Sequence, residues 1–261
     1  MRAAGRRVKT AIFLTARLGS TRLPRKHLLE AGGKALLSVL AGRIRRAYDK
    51  EIGRGDALLA VVTSDEPANR EFERVSGEPM QVFYGSKQNI PLRHLQAARH
   101  FGVDAIVAVD GDDILCSVDA MQVVSDSLAG GAEYTRTTGL PLGMNAFGYR
   151  TGFLARSVAG NEQKTLETGW TYIFDAARLT SHALELGFAS PETLRFTLDY
   201  SEDYEFFRRL VEHFGPGMVT ANDKEIVSYV LAQGLQMITD PISRKYWENF
   251  QTVRAEEMGR G

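Results

Sequence analysis

Positively charged side chains cluster in a loop that directly follows a short apolar run. The cluster consists of Arg17, Arg22, Arg25 and Lys26. Glycine and serine residues between them leave backbone N–H groups exposed, which suits an anion. Arginine side chains fork onto phosphate oxygens and lysine adds a compact charge, so three or four such cations would oppose most of the charge on a triphosphate. On charge alone, a solvated loop explains the same residues equally well.

Acidic residues occupy two comparable places further along the chain. The turn "DGDD", residues 110–113, directly follows an apolar run at residues 105–109. Asp199, in "TLDYSED", directly follows a short predicted strand at residues 195–198. Each also has a simpler explanation. "DGDD" could be only a turn, and Asp199 could only cap the helix that starts near Ser201.

Apolar runs of strand length alternate with helical patterns in the first half of the chain. The predicted strands span residues 11–16, 57–63, 80–84 and 105–109. The predicted helices span residues 36–47, 67–75, 91–101 and 117–128, with Ser117 as a cap. This alternation is typical of βαβ units and a mostly parallel sheet. Because ligands bind at the carboxyl ends of such strands, the cationic loop and the acidic residues should meet at one crevice.

The pattern loosens after Gly130. Two further strands are predicted at residues 132–137 and 145–149, around the turn "GLPLGM". A helix is predicted up to His213, and a last helix at residues 222–233, where Asn222 and Glu225 resemble a capping box. The polar tail from Arg244 is expected to be frayed or bound to a partner. On the helix at 36–47, the arginines are expected on the outer face: Arg43, Arg45 and Arg46.

Composition excludes several classes of protein. The 261 residues carry a formal net charge of zero, whereas a general nucleic-acid binder usually has a basic face. Cys116 is the only cysteine, which excludes an intrachain disulfide and a multi-cysteine zinc site. Neither GxxxxGK[ST] nor GxGxxG is present. The apolar run at residues 11–14 is too short for a signal peptide, and no run reaches the length of a membrane helix, so we expect a cytoplasmic protein.

The order of residues in the cationic loop resembles a known signature. "ARLGSTRLPRKHL" resembles ARxxSxRLPxKxL, the N-terminal motif of the cytidylyltransferases that activate sugars and sugar acids. Further likenesses are "VVTSDEPANREF", the run from "VFYGS" to "DGDD", and "LRFTLDYSEDYEFFRRL", so the resemblance extends to about Leu210. The layout is most similar to the spore-coat polysaccharide branch, which is related to CMP-Kdo and CMP-sialic acid synthetases. Arg25 and Asp110 depart from the usual pattern of the family.

The resemblance implies a fold and a set of site residues. The fold is a Rossmann-like three-layer α/β sandwich of the nucleotide-diphospho-sugar transferase type. The implied catalytic cations are Arg17, Arg22 and Lys26, and the implied ligands of a Mg²⁺ cofactor are Asp112 and Asp199. The implied nucleotide-binding residues are Leu14, Ala16, Arg17, Ser20, Ser86 and Arg93. A divalent cation held by one or two carboxylates would offset the charge that develops on the phosphates.

The acceptor side is less clearly marked. The turn "PLG", which ends at Gly143, resembles the acceptor-side glycine turn of the family. Position alone suggests Tyr149, Lys164 and Arg136 as partners of an acceptor carboxylate. Relatives of the spore-coat type often carry a histidine-containing segment where this chain has "ETGWTYIF". Trp170 and Tyr172 could stack on a sugar face, or they could be core or dimer-interface residues.

These inferences combine into one expected function. The enzyme would move CMP from CTP to a sugar or sugar acid, release pyrophosphate, and serve the synthesis of surface polysaccharide or glycoconjugate. We expect a homodimer that binds neither nucleic acid nor membrane. Residues 1–240 would form one domain, with an acceptor and dimerisation subregion at about 132–195 and a tail at 241–261. The alternatives are a non-catalytic nucleotide-binding homologue and a glycosyltransferase that uses a nucleotide-sugar.

Overall fold

A seven-stranded sheet lies at the centre of the computed structural model, which describes residues 7–75, 80–191 and 194–259. Its strands are β1 (Thr10–Thr15), β4 (Ala57–Ser64), β5 (Met80–Gly85), β6 (Ala105–Asp110), β7 (Tyr134–Thr138), β8 (Phe147–Arg150) and β9 (Leu179–Ala183). Their order across the sheet is β5-β4-β1-β6-β8-β7-β9, and only β8 runs antiparallel to both of its neighbours. A separate small pair joins β2 (Glu30–Ala31) to β3 (Lys34–Ala35). The expected mostly parallel α/β sandwich is therefore confirmed.

Helices cover both faces of this sheet. They are α1 (Leu36–Ala47), α2 (Asp49–Gly53), α3 (Phe72–Val75), α4 (Ile90–Phe101), α5 (Val118–Ala129), α6 (Thr151–Val158), α7 (Ser201–Phe214), α8 (Asp223–Ala232) and α9 (Asp240–Gly259). Short 3₁₀ turns include Lys26–Leu28 and Trp170–Ile173. Within the described ranges, none of the helices is long and apolar enough to cross a membrane.

The two faces of the sheet are separated by the alternation of side chains along each strand. In β1, Ile12 and Leu14 point into a core shared with α1 and α5, whereas Ala11 and Phe13 point into a core shared with α4 and α6. A third apolar cluster contains residues of α7 and α8, such as Phe206 and Ile226. It also contains Ala31 of β2 and Leu36 of α1. Strand β1 is thus buried on both faces, which explains its continuous apolar sequence.

The register of the sheet brings the ends of the central strands together. Thr15, at the end of β1, pairs with Val62 of β4 on one side and with Asp110 of β6 on the other. The loop that carries the cations and the "DGDD" turn therefore leave the sheet side by side. The convergence expected from the sequence is confirmed, and it follows from parallel pairing of two neighbouring strands.

Most predicted helix boundaries are confirmed, but Arg43 is not on the outer face of α1. It is 1% exposed and donates to the backbone oxygens of Met218 and Ala221, at 2.8 and 2.9 Å. Both bonds come from its Nη1, and the carboxylate of Asp223 lies 3.9 Å from its Nη2, so this cation is buried although helical periodicity places it in water. Ser117 and Asn222 cap α5 and α8 as expected, and Glu225 completes a capping box.

Two predictions for the last third of the chain are wrong. Residues 195–198 are not a strand of the sheet; they run extended, with Phe196 N donating to Leu142 O and Leu198 N donating to Asp112 O. The tail is not frayed, because residues 240–259 form α9, which packs across the carboxyl ends of the strands. The helix at 223–232 is therefore not the last one.

A buried ion pair fixes the start of α7. The carboxylate of Asp203 accepts from the backbone N–H groups of Asp199 and Tyr200, both at 2.9 Å, and from Arg195 at 2.5 Å. Arg195 is 2% exposed and Asp203 is 1% exposed. Since Asp203 holds the backbone of Asp199, this pair also sets the position of a predicted metal ligand.

Replacing Asp203 with alanine should destabilise the protein by about 3–5 kcal/mol, because Arg195 would be left buried without a counter-charge. The free energy of unfolding from urea titration measures the effect. Glu205→Ala is the matched control on the same helix, since Glu205 pairs only with half-exposed arginines and should cost less than about 1 kcal/mol. Equal losses of stability in the two variants would contradict the conclusion that the buried ion pair of Asp203 and Arg195 stabilises the fold.

Candidate active site

A cleft of about 540 Å³ opens at the carboxyl ends of β1 and β6. The loop after β1 forms one wall, and the "DGDD" turn with residues 197 and 199 forms the floor. The segment 167–170 and helix α9 close the remaining sides. Its volume lies in the range of small-molecule sites.

Lys26 lies between the two predicted metal ligands. Its ammonium donates to the carboxylate of Asp112 and, at 3.0 Å, to Oδ1 of Asp199. The lysine is 8% exposed. Burial by itself lowers the pKa of Lys26, but the two carboxylates more than compensate, so the pKa lies above its ordinary value and the side chain stays charged.

The other two implied catalytic cations are also paired with acids. Arg22 donates to Oδ1 of Asp199 at 2.5 Å, and Arg17 donates to Oε1 of Glu167 at 2.6 Å. Although burial raises the pKa of Asp199, Lys26 and Arg22 hold that pKa below its ordinary value. The cations that sequence assigns to phosphate are thus neutralised by the acids across the cleft.

Arg25 does not belong to this set. It turns outward and forms a two-pronged pair with the carboxylate of Glu71, at 2.6 and 2.5 Å. Its backbone is left-handed, with φ of 57°, a conformation that glycine adopts without strain.

Two more acids lie beside Asp112. Enclosure by the walls of the cleft and the charge of Asp112 raise the pKa of Asp110 to about 7. Burial and the same neighbour raise the pKa of Asp113 well above its ordinary value. Four carboxyl groups thus crowd the floor of the cleft, and the raised pKa values of Asp110 and Asp113 lower the negative charge that Lys26 and Arg22 must balance.

The carboxylates of this floor fit a magnesium ion brought by a triphosphate. Asp112 and Asp199 already converge on a single cationic group, the ammonium of Lys26. Among the described residues no group of three or more His, Cys, Asp or Glu side chains is placed to hold a metal. A sparse pair of carboxylates suits Mg²⁺, which keeps several waters and takes its other ligands from phosphate oxygens.

His27 has a structural position. It is 3% exposed, and burial together with the neighbouring charge of Lys26 lowers its pKa to about 4, so it is neutral. Its ring packs against Gly111, where an added Cβ would lie 3.0 Å from the carbonyl oxygen of Thr15 and 3.3 Å from the His27 ring. Only glycine allows the acidic turn to approach the cationic loop this closely.

The predicted nucleotide-binding residues divide into two groups. Ala16, Ser20 and Arg93 line the cleft. Arg93 is 1% exposed and donates to the backbone oxygens of Ser86 and Lys87, at 2.7 and 2.9 Å, so it also holds the turn after β5. Leu14 is wholly buried in β1, and the cleft wall does not include it or Ser86; these two can contribute only through neighbouring backbone.

The predicted acceptor residues are not brought together around the cleft. Tyr149 is wholly buried, and its hydroxyl lies 2.5 Å from Nδ1 of His94, so no surface is left for an acceptor. Lys164 and Arg136 are not part of the cleft wall. Gly143 packs its backbone against Phe196 with φ of +85°, which makes it a structural glycine beneath the acidic floor.

Trp170 contacts the cleft but belongs mainly to the core. It is 5% exposed, and its ring packs edge-on against the rings of His94, Tyr149 and Phe174 at 5.5–6.2 Å. The structure favours the alternative in which these aromatic residues are core residues. Tyr172 packs at the edge of the same cluster.

Helix α9 supplies functional candidates that sequence reasoning missed. Its residues on the cleft are Tyr246, Trp247, Asn249, Phe250, Val253 and Glu257. Glu257 accepts from the backbone N–H groups of Glu167 and Thr168, at 3.0 and 2.8 Å. The spacing of 246, 250 and 253 is helical, and this pattern could have identified the helix and its inward face.

Comparison with known proteins agrees with this geometry. Spore coat polysaccharide biosynthesis protein SpsF of Bacillus subtilis is 27% identical over 78% of this chain and 86% of its own length. A 3-deoxy-manno-octulosonate cytidylyltransferase of Anaeromyxobacter dehalogenans is 32% identical, but over 47% of this chain and only 48% of that enzyme. An uncharacterized protein of Methanocaldococcus jannaschii is 24% identical over 84% of this chain and 88% of its own.

Solved structures show the same fold. A cytidylyltransferase from Leptospira borgpetersenii superposes with a TM-score of 0.70 at 20% identity, over 88% of this chain and 96% of that chain. A CMP-2-keto-3-deoxy-manno-octonic acid synthetase in complex with CTP superposes with a TM-score of 0.56 at 14% identity, over 78% of this chain and 99% of that chain. The cytidylyltransferase family profile matches residues 11–212, which include the cationic loop, the acidic turn and Asp199. By this match, and with the site geometry described above, the chain belongs to the cytidylyltransferase family of nucleotidyltransferases.

Proposed function

We propose that the protein transfers CMP from CTP to a sugar or sugar acid and releases pyrophosphate. The observation that carries the proposal is the pairing of Lys26 and Arg22 with Asp112 and Asp199 in one cleft. Such a cluster offers cations to a triphosphate and carboxylates to its magnesium ion. The names of the relatives, which act on 3-deoxy-manno-octulosonate or serve spore coat polysaccharide synthesis, support a sugar-type acceptor and a role in polysaccharide synthesis.

Binding of the substrate would exchange one set of ion pairs for another. The triphosphate takes Lys26, Arg22 and Arg17 from their carboxylate partners. Asp112 and Asp199, once released, hold Mg²⁺. Lys26, Asp112 and Asp199, the most buried charges of the cluster, would each keep a partner of opposite sign through this exchange, whereas Glu167, which gives up Arg17, is partly exposed to solvent.

Transfer then depends on position and electrostatics. An acceptor oxygen attacks the α-phosphorus in line, and the bond from phosphorus to the bridging oxygen breaks, so that pyrophosphate leaves with the bonding electrons. Where the acceptor is a hydroxyl group, its proton passes to solvent. Mg²⁺ supplies Lewis-acid stabilisation of the phosphate oxygens. Lys26, Arg22 and Arg17 hold the charge of the leaving pyrophosphate, and the neutral, buried His27 takes no part in proton transfer. Such a site needs no covalent intermediate with the protein.

The direct test is pyrophosphate release with Mg²⁺ and each common nucleoside triphosphate. The acceptor panel consists of 3-deoxy-manno-octulosonate, sialic acid and several sugar 1-phosphates. CTP-dependent release with one of them supports the proposal and identifies the acceptor. CTP binding without release for any acceptor favours a non-catalytic homologue, and hydrolysis of a nucleotide-sugar without CTP consumption favours a glycosyltransferase. Homodimer formation and a cytoplasmic location stay predictions from the sequence.

Asp112→Asn and Asp199→Asn should each lower the rate of pyrophosphate release by roughly 10²-fold or more, because each removes one charged ligand of the metal. The kcat of each variant is measured at saturating CTP and over a range of Mg²⁺ concentrations. The control is Asp175→Asn, an exposed carboxylate outside the cleft, which should leave kcat within twofold. A full rate in either cleft variant would contradict the metal assignment.

Lys26→Met should make thermal stability depend on Mg²⁺ without any nucleotide. Removal of the ammonium leaves Asp112 and Asp199 facing each other, and a divalent cation can then take its place. At Mg²⁺ tenfold above its Kd the gain is about 1.4 kcal/mol, or roughly 2–4 °C in Tm for a chain of this size.

Differential scanning calorimetry with Mg²⁺ or with EDTA measures the shift. The wild type should change by less than about 1 °C, since Lys26 already occupies the position between the carboxylates. An identical response in the two proteins would mean that Mg²⁺ and Lys26 do not compete for one site.

A further inference from the structure

Helix α9 forms one wall of the cleft that the cationic loop also lines. The wall carries aromatic and amide side chains: Tyr246, Trp247, Asn249 and Phe250. The family profile ends at residue 212, so this helix lies outside the part of the chain whose role the family match covers. The wall and the acidic floor, which includes Asp199, line the same cleft.

Trp247 is exposed although it faces a cavity. It is 43% exposed, whereas Trp170 is 5% exposed and fixed in the core. Its ring lies edge-on to the rings of Tyr246 and Phe250, at 5.4 and 5.9 Å. Exposure on this scale leaves a large part of the aromatic ring without a packing partner, so the side chain contributes little to the core of the fold.

Contacts at both ends hold this wall in a defined position. Near its start, the ring of Tyr246 lies 4.8 Å from the guanidinium of Arg195, a cation–π contact with the buried pair that positions Asp199. Near its end, Glu257 accepts from two backbone N–H groups of the segment 167–168. Trp247 lines the same cleft as Asp112 and Asp199, the two carboxylates proposed to hold the metal.

We propose that Trp247, Phe250 and Asn249 form the subsite that binds the sugar ring of the acceptor. This inference rests on the proposed function. The aromatic rings present an apolar face for the C–H groups of the ring, and the amide of Asn249 can donate to and accept from hydroxyl groups. The cations that line the cleft, such as Arg22 and Lys26, belong to other elements than α9 and are left for the triphosphate.

The occupant is a sugar rather than a second copy of the chain or the cytosine base. The wall belongs to the same cleft into which an acceptor oxygen must reach. The base is expected beside Arg93 and Ala16, which belong to α4 and to the loop after β1 and not to α9. The subsite also replaces Trp170, the residue that sequence reasoning chose for sugar stacking.

The kinetic test compares Trp247→Ala with Trp247→Phe. For the panel sugar that is turned over, Trp247→Ala should raise the acceptor KM at least tenfold while the KM for CTP stays within twofold. Trp247→Phe should recover most of the loss, because it keeps an aromatic face. Met237→Ala is the control, since Met237 is 69% exposed and outside the cleft, and both of its KM values should stay unchanged.

The binding test needs no turnover. The chain has two tryptophans, so Trp170→Phe leaves Trp247 as the only one. Each panel sugar is added either alone or together with CTP and Ca²⁺. The quenching of Trp247 fluorescence by acrylamide is then measured. A bound sugar should lower the quenching constant at least twofold.

The outcomes separate this inference from the proposed function. Shielding of Trp247 by a sugar without pyrophosphate release rejects the transferase and keeps the subsite. No shielding by any panel sugar, or an unchanged acceptor KM in Trp247→Ala, rejects the subsite. If Trp247→Ala raises only the KM for CTP, the sugar subsite is rejected in favour of stacking on the cytosine base. If the variant loses only self-association, the subsite is rejected in favour of contact with a second copy of the chain.

Discussion

The ammonium of Lys26, held between the carboxylates of Asp112 and Asp199, is the interaction on which the site depends. Two acids from distant parts of the chain can lie this close in a nearly buried place only because a cation lies between them. The same arrangement prepares the exchange that substrate requires, because a magnesium ion can replace the ammonium and a phosphate can replace the carboxylates. One set of side chains thus serves both the stability of the empty cleft and the chemistry proposed for the filled one.

The fold supports this cluster through a small number of close contacts. Parallel pairing of β1 with β6 places Thr15 beside Asp110, and Gly111 lets the acidic turn approach the loop that carries Lys26. On the other side, the buried carboxylate of Asp203 holds the backbone of Asp199 and the guanidinium of Arg195. Arg195 in turn contacts Tyr246 of α9, so Asp199 and the α9 wall of the cleft share one scaffold.

Sequence reasoning predicted the parts of the structure that local pattern determines. The four parallel strands and the helices between them are confirmed because their apolar spacing matches the sheet and helix periods. It was wrong where tertiary contacts override local pattern: Arg43 is buried by carbonyl groups from a distant turn, and residues 195–198 pair with loops rather than with the sheet. It also placed the acceptor side at Tyr149 and Trp170, which are core residues in the structure. Aromatic density alone does not distinguish a core from the wall of a binding site. The aromatic and apolar residues of α9 have helical spacing in the sequence, but the many polar residues between them made this pattern difficult to recognise.

The most direct test is a crystal structure of the protein with CTP and Mg²⁺. The account predicts that the ammonium of Lys26 lies within hydrogen-bond distance of a phosphate oxygen, and that Asp112 and Asp199 contact the metal or its bound water. Lys26 still bridging both carboxylates, with the triphosphate held elsewhere in the cleft, would contradict the exchange of ion pairs that the account proposes.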